Sequence, residues 1–256
     1  MNTAVHPLRT DVKVIGLVCV AHLMSHFYLL VVPPIFFLLT EEFGVGYAAM
    51  GFAASMLYLT SGLLQTPAGF LVDRLGGKTV LAGGLAVFAG GTLLIGLAPT
   101  YPLLVAAFMV AGAGNSVFHP ADMAILNARV DPPRLGYAFS VHAVSGNLGW
   151  VLAPLYSVAI ATAFGWRTAL IVAGAIGLAI ALLLALQPVL RTDAHTTAPG
   201  ESERAGGGLR GNLKLLLSVP VLTCFSFFVF SSMTTVLRRV MSGQMLRHCL
   251  MRASTF

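Results

Sequence analysis

The chain has 256 residues, 57% of them hydrophobic and 9% charged, with a formal net charge of +6. Its mean hydropathy of +0.87 implies more apolar surface than a soluble core buries, so the bilayer is its natural solvent. No basic run is interleaved with aromatics on a polar segment, which sets nucleic acid aside as a partner.

A spanning helix takes about 20 mostly apolar residues. Seven stretches meet that length, at 14–39, 47–71, 79–98, 103–126, 136–161, 168–186 and 213–237. They are continuously apolar and rich in Gly and Ala, without the alternation of a barrel strand, so the expected fold is an all-α integral membrane bundle. The first stretch follows Arg9 and Lys13 as a signal peptide would. It is too long for an h-region, carries His22 and His26, and ends without a small-x-small cleavage site, so it reads as retained.

Orientation follows from Lys and Arg. Arg9, Lys13, Arg74, Lys78, Arg129, Arg134, Arg191, Arg204, Arg210 and Lys214 fall before the first stretch or in alternate loops, on one side. The opposite loops hold Glu41, Glu42 and Arg167. The positive-inside rule then makes the N-terminus cytoplasmic in a multi-pass protein of a bacterial-type inner or plasma membrane. Residues 191–214 are rich in Gly, Ser, Thr, Pro and charge and read as a cytoplasmic linker. The chain therefore divides into a six-helix unit at 1–190, the linker, and a seventh helix with a basic tail at 215–256.

Gly69, Asp73, Arg74, Gly76 and Lys78, in the short turn between the second and third stretches, resemble the signature of the major facilitator superfamily. Gly77 departs from it, because the family usually has a basic residue there. The runs 112–130 and 140–155 are similar to the fosmidomycin-resistance group of that superfamily. Residues 146–154 loosely resemble the signature of its drug exporters, with Ala153 where a glycine precedes the proline. The resemblance covers roughly residues 14 to 190, the N-terminal half. It implies a proton-coupled secondary transporter of twelve helices in two halves, working by alternating access and exporting a small, drug-like or anionic solute. It also implies that the five motif residues gate the cycle, with Asp73 contacting a C-terminal half.

Here only part of a seventh helix follows the six. A seventh helix entered from the cytoplasm would deliver Arg238, Arg239, Arg247 and Arg252 to the outside, against the pattern of every earlier loop. Two explanations stand: a coding frame that shifts or ends early, or a re-entrant last helix. The expected partners are a small solute and protons, lipid, and a second copy or a missing C-terminal half. The competing expectation is a half-length membrane protein without transport of its own, acting as a helix-packing partner.

Ionisable groups within a span are costly and mark function by default. His22 and His26 share a face of the first helix, His119 and Asp122 sit three apart in the fourth, and His142 lies in the fifth. At about 1.5 Å of rise per residue, His22, His119 and His142 fall at similar depth, about 9–12 Å from the same end. Imidazole exchanges protons near neutral pH, and Asp122 offers a countercharge. His22, His119, Asp122 and His142 are therefore expected to handle protons or solute, with His26, Asn115 and Asn147 as cavity candidates. The bland alternative is that each polar group ties helices together. Gly112, Gly114, Gly146 and Gly149 are expected to thin the helices, and Pro120 and Pro154 to kink them. Arg129, Asp131 and Arg134 read as a solvated turn.

The cysteines Cys19, Cys224 and Cys249 show neither pairing nor metal spacing, and no phosphate loop, nucleophile elbow or metal-spaced set points to an enzyme. Neither cofactor nor metal is expected.

Overall fold

A computed structural model describes residues 7–192. The expected seventh helix, most of the linker and the basic tail lie outside the described residues. Within them there is no strand, and eight α-helices build six spans long and apolar enough to cross a membrane.

The first span is α1 (Leu8–Leu30) and α2 (Phe36–Phe43), joined through a 3-10 turn at Pro33–Ile35. Next come α3 (Tyr47–Leu75) and α4 (Gly77–Leu97), then a fourth span made of α5 (Tyr101–Asn115) and α6 (Phe118–Arg129). The last two are α7 (Leu135–Phe164) and α8 (Trp166–Ala185). Two of these spans are broken where the sequence suggests continuous helices. Pro33 and Pro34 cannot donate to carbonyls one turn back, so the helical ladder of α1 stops at Leu30. In the fourth span the break falls at Ser116 and Val117, ahead of the expected kink at Pro120. The Ser116 hydroxyl donates to the Ala113 carbonyl at 2.7 Å, competing with the helical ladder. Pro120 then sits in the first turn of α6, where its missing N–H costs nothing.

Helices in lipid gain little from hydrophobic burial against one another, so close packing must hold the bundle. Small residues supply it at the crossings. A methyl group on Gly91 of α4 would stand 2.5 Å from the Ala111 nitrogen of α5, and one on Gly174 of α8 would stand 2.8 Å from the Ala89 carbonyl of α4. Gly112, Gly114 and Gly149 likewise face backbone of α3, α4 and α1. Aromatic rings fill the centre: Tyr28 lies 5.0 Å from Phe88, and Phe88 lies 6.2 Å from Phe118, tying α1, α4 and α6. The Tyr28 hydroxyl, buried in this apolar layer, donates to the Ala173 carbonyl of α8 at 2.8 Å.

Alternation of the six spans gathers the ends bearing Arg9, Lys13, Arg74, Lys78, Arg129, Arg134 and Arg191 on one side. Contacts stitch that side together. Arg134 donates to Asp11 at 2.7 Å and to Asp131 at 2.8 Å, and Asp11 also accepts from the Asp131 backbone N–H. The turn between the fourth and fifth spans is therefore an ion-paired clasp on α1 rather than the expected solvated loop: Asp11 and Asp131 are 1% and 8% exposed. At the other side Arg167 donates to the Gly96 and Ala98 carbonyls and pairs with Glu42 at 2.9 Å.

The six spans are unevenly covered. Buried residues make up 67% of the apolar window of the first span but only 22% and 28% of those of α3 and α7, so these two present large faces to lipid or to another bundle. Leu63 and Phe70 on α3 and Val144 and Leu155 on α7 are each more than 60% exposed.

Candidate transport site

Three spans converge on Asp122. It follows the break in the fourth span by little more than one turn of α6, and it is fully buried. One of its oxygens, Oδ2, meets His142 Nε2 of α7 at 3.0 Å and His22 Nδ1 of α1 at 3.2 Å. The two imidazoles stack on one another with ring centroids 3.6 Å apart. His22 and His142 are 4% and 5% exposed. The second oxygen, Asp122 Oδ1, is buried without a hydrogen-bond partner.

The approach of α1 and α7 that makes this possible depends on Gly146 and Gly149. A methyl on Gly146 would lie 2.9 Å from His22 Nε2 and 3.0 Å from His26 Nε2, and one on Gly149 would run into the Leu23 carbonyl. Here glycine serves the site as well as the packing.

The remaining candidates surround this core. His26 is half-buried, 4.6 Å from the His22 ring and 4.9 Å from Trp150, with a buried Nδ1 that has no partner. His119 is exposed, and its ring lies 5.7 Å from that of His22. The carboxylate that shares its helix is therefore held by His22 and His142, not by His119. The three-residue spacing put His119 and Asp122 on one stripe but not in contact. Asn115 donates to the Ser61 hydroxyl of α3 at 2.9 Å, a tie between spans, while Asn147 is exposed on α7.

The motif between α3 and α4 divides. Gly69 has open space around it, and Asp73 and Arg74 are exposed. Asp73, Arg74 and Lys78 form no ion pair among the described residues. Gly76 makes the turn between α3 and α4: its φ of +80° belongs to glycine, and Thr192 packs on it. The Thr192 hydroxyl accepts the Gly77 N–H at 2.8 Å, capping the start of α4. Gly77 also packs on α6, where a methyl would stand 2.8 Å from Ile125 Cγ1. Close approach leaves little room for a side chain at that position.

Sequence reasoning passed over Asp11, Thr192, Ser61 and Trp150. Asp11 had a signal, an acidic residue in the first turn of a helix otherwise flanked by cations. The others had none, because their partners are far away in the chain.

With this geometry in view, comparison with known proteins is informative. Residues 18–245 match the family model described as Major Facilitator Superfamily. The chain is 30% identical over 157 residues to the fosmidomycin resistance protein of Escherichia coli K12, covering 61% of this chain and 38% of the relative. It is 30% identical over 230 residues to the multidrug resistance protein B homolog of Mycobacterium tuberculosis, covering 89% and 41%. The crystal structure of a bacterial homolog to the human lysosomal transporter Spinster, inward-facing and unoccupied, superposes with a TM-score of 0.69 at 16% identity, over 78% of this chain and 48% of that one. The chain thus spans about four-tenths of the length of these curated relatives. A six-span helical bundle and a family match over most of its length agree: the chain is an integral membrane protein, not an enzyme, and belongs to the Major Facilitator Superfamily.

Proposed function

We propose that the chain forms the N-terminal half of a secondary transporter that exports a small solute by alternating access and exchanges protons at the His22–Asp122–His142 cluster. The observation that carries this is a fully buried carboxylate held by imidazoles from two other spans. A charge at that depth is kept only against a strong cost, and imidazole is the side chain that gains and loses a proton near neutral pH. His119, exposed, and His26, half-buried, stand at the edge of the cluster, and Asn147 is exposed on α7. The names of the relatives, fosmidomycin resistance protein and multidrug resistance protein B homolog, favour a drug-like and, for the former, anionic solute. The cationic end of the bundle faces the cytoplasm in this reading, and the turn at Gly69, Asp73, Arg74, Gly76 and Lys78 gates the cycle against a second half.

A second function is favoured by one observation, the uncovered faces of α3 and α7: a bundle that packs on a partner's helices without transport of its own. Proteoliposomes separate the two. Vesicles carrying the chain, alone and with a second six-helix half, are given a pH gradient and assayed for fosmidomycin flux and proton movement in the presence of EDTA. Gradient-driven flux that falls at least about tenfold in Asp122→Asn supports proton exchange at the cluster. Flux that survives this substitution overturns the site, and absence of flux in both preparations overturns transport of this solute.

A further inference from the structure

We infer that His22, Asp122 and His142 form a binding site for a first-row transition-metal ion, with His22 Nδ1, His142 Nε2 and an Asp122 oxygen as ligands. The inference goes beyond the transport reading and does not depend on it. Sequence spacing conceals this donor set, because Asp122 lies 100 residues from one histidine and 20 from the other.

Geometry comes first. A tetrahedral ion with bonds of about 2.0–2.2 Å holds its ligand atoms about 3.3–3.5 Å apart. The two nitrogen–oxygen separations are 3.2 and 3.0 Å, and all three donor atoms lie within 4.8 Å of one another. Two edges of a coordination polyhedron are therefore near their final length, and the third, between the two nitrogens, lies within 4.8 Å and shortens as the imidazoles turn toward a common ion.

Charge comes second. Asp122 is fully buried, and its Oδ1 has no partner. A buried carboxylate is normally paired, fully hydrogen-bonded or bound to a cation. The two imidazoles satisfy one oxygen only. A divalent ion compensates the charge and draws on the remaining acceptor capacity as well.

Donor chemistry selects the ion. Two imidazole nitrogens with one carboxylate suit Zn2+, Co2+, Ni2+ or Cu2+, whereas Mg2+ and Ca2+ take oxygen shells. Three protein ligands leave a fourth position for water or a solute group, as in open rather than structural sites. His26 and His119, with rings 4.6 and 5.7 Å from that of His22, offer further nitrogen donors at the edge of the cluster.

The test uses the full chain in detergent, with His6, His195 and His248 replaced by alanine so that all remaining imidazoles belong to the membrane cluster. Co2+ is titrated first and Zn2+ is then added. The expected result is one ion per chain, with the intense visible absorption of tetrahedral Co2+, bleached by Zn2+. His142→Gln and Asp122→Asn should each weaken Zn2+ binding by at least about tenfold, with helical circular dichroism and a monodisperse elution profile retained. Absence of bound ion, or a weak octahedral Co2+ spectrum alone, overturns the site, and the parent spectrum decides this even where a variant fails to fold. Binding undiminished in folded His142→Gln overturns it too. No solute or gradient enters this measurement, and the flux assay contains EDTA, so either proposal can fail alone.

Discussion

His142 Nε2 and Asp122 Oδ2 lie 3.0 Å apart, and the same oxygen is 3.2 Å from His22 Nδ1. A carboxylate oxygen only accepts, so each facing nitrogen must carry a hydrogen. For two neutral rings beside a carboxylate, this geometry requires opposite tautomers: Nδ1–H on His22 and Nε2–H on His142. In metal-free chain at neutral pH, 15N NMR of selectively labelled histidine should show one of each. Both rings in the common Nε2–H form would contradict the arrangement at Asp122. Asp122→Ala should release both tautomers together, because they share one acceptor.

The glycines of the crossings should sort by what a methyl would meet. Gly114→Ala drives a carbon into the Phe88 backbone nitrogen, and backbone cannot yield as a side-chain tip can. Overpacking of this kind costs about 1–3 kcal/mol. Gly83 sits in the same pair of helices with nothing within 4 Å of its added carbon. Gly83→Ala should leave stability unchanged or raise it by up to about 1 kcal/mol, since alanine is the better helix former. Thermal unfolding in one detergent ranks them, and equal effects would mean that α4 and α5 do not cross at Gly114.

Much of this bundle is legible in the sequence because the bilayer imposes one length scale and one polarity. The first six apolar stretches each become a span within a few residues, and the described Lys and Arg other than Arg167 fall on one side. The breaks are harder. Pro120 looks like the interruption of the fourth span, yet a proline three residues into a helix is harmless, and the ladder yields at Ser116. The site was half legible. Depth along each helix put His22, His119 and His142 at one level, but depth carries no azimuth, and azimuth decides that Asp122 meets His22 and His142 while His119 turns outward. The clasp of Asp11 with Arg134 was hidden for a related reason: a charged turn at a span end reads as solvated unless the partner helix is known.

That clasp gives an asymmetric prediction. Asp11 is 1% exposed, with one oxygen bonded to Arg134 and to a backbone N–H, while the arginine is 31% exposed. Removing the arginine leaves a buried carboxylate with fewer partners, which costs more than removing both groups. Arg134→Ala should therefore destabilise the chain by about 2–4 kcal/mol, and Asp11→Ala added to it should recover part of the loss. A thermal-shift double-mutant cycle reads this. Strictly additive losses would mean that the two groups act independently and that the turn is held by backbone contacts alone.

Gly77 packs closely on α6, and the cost of a side chain there is testable. An added carbon would lie 2.8 Å from Ile125 Cγ1 and 3.3 Å from the Ala121 carbonyl. Ile125 is fully buried, so it cannot swing away. Gly77→Arg should therefore cost about 1–3 kcal/mol by overpacking. Ile125→Ala removes the obstructing carbon while opening a cavity of its own. If steric conflict with α6 is the cause, Gly77→Arg should cost less in the Ile125→Ala background than in the parent. Thr192→Ala provides the control on the other contact at this turn: losing the hydroxyl that accepts the Gly77 N–H at 2.8 Å should cost about 0.5–1.5 kcal/mol. A Gly77→Arg variant as stable as the parent would show that α4 starts farther from α6 than 2.8 Å allows. In that case packing against α6 would not account for the glycine at this position.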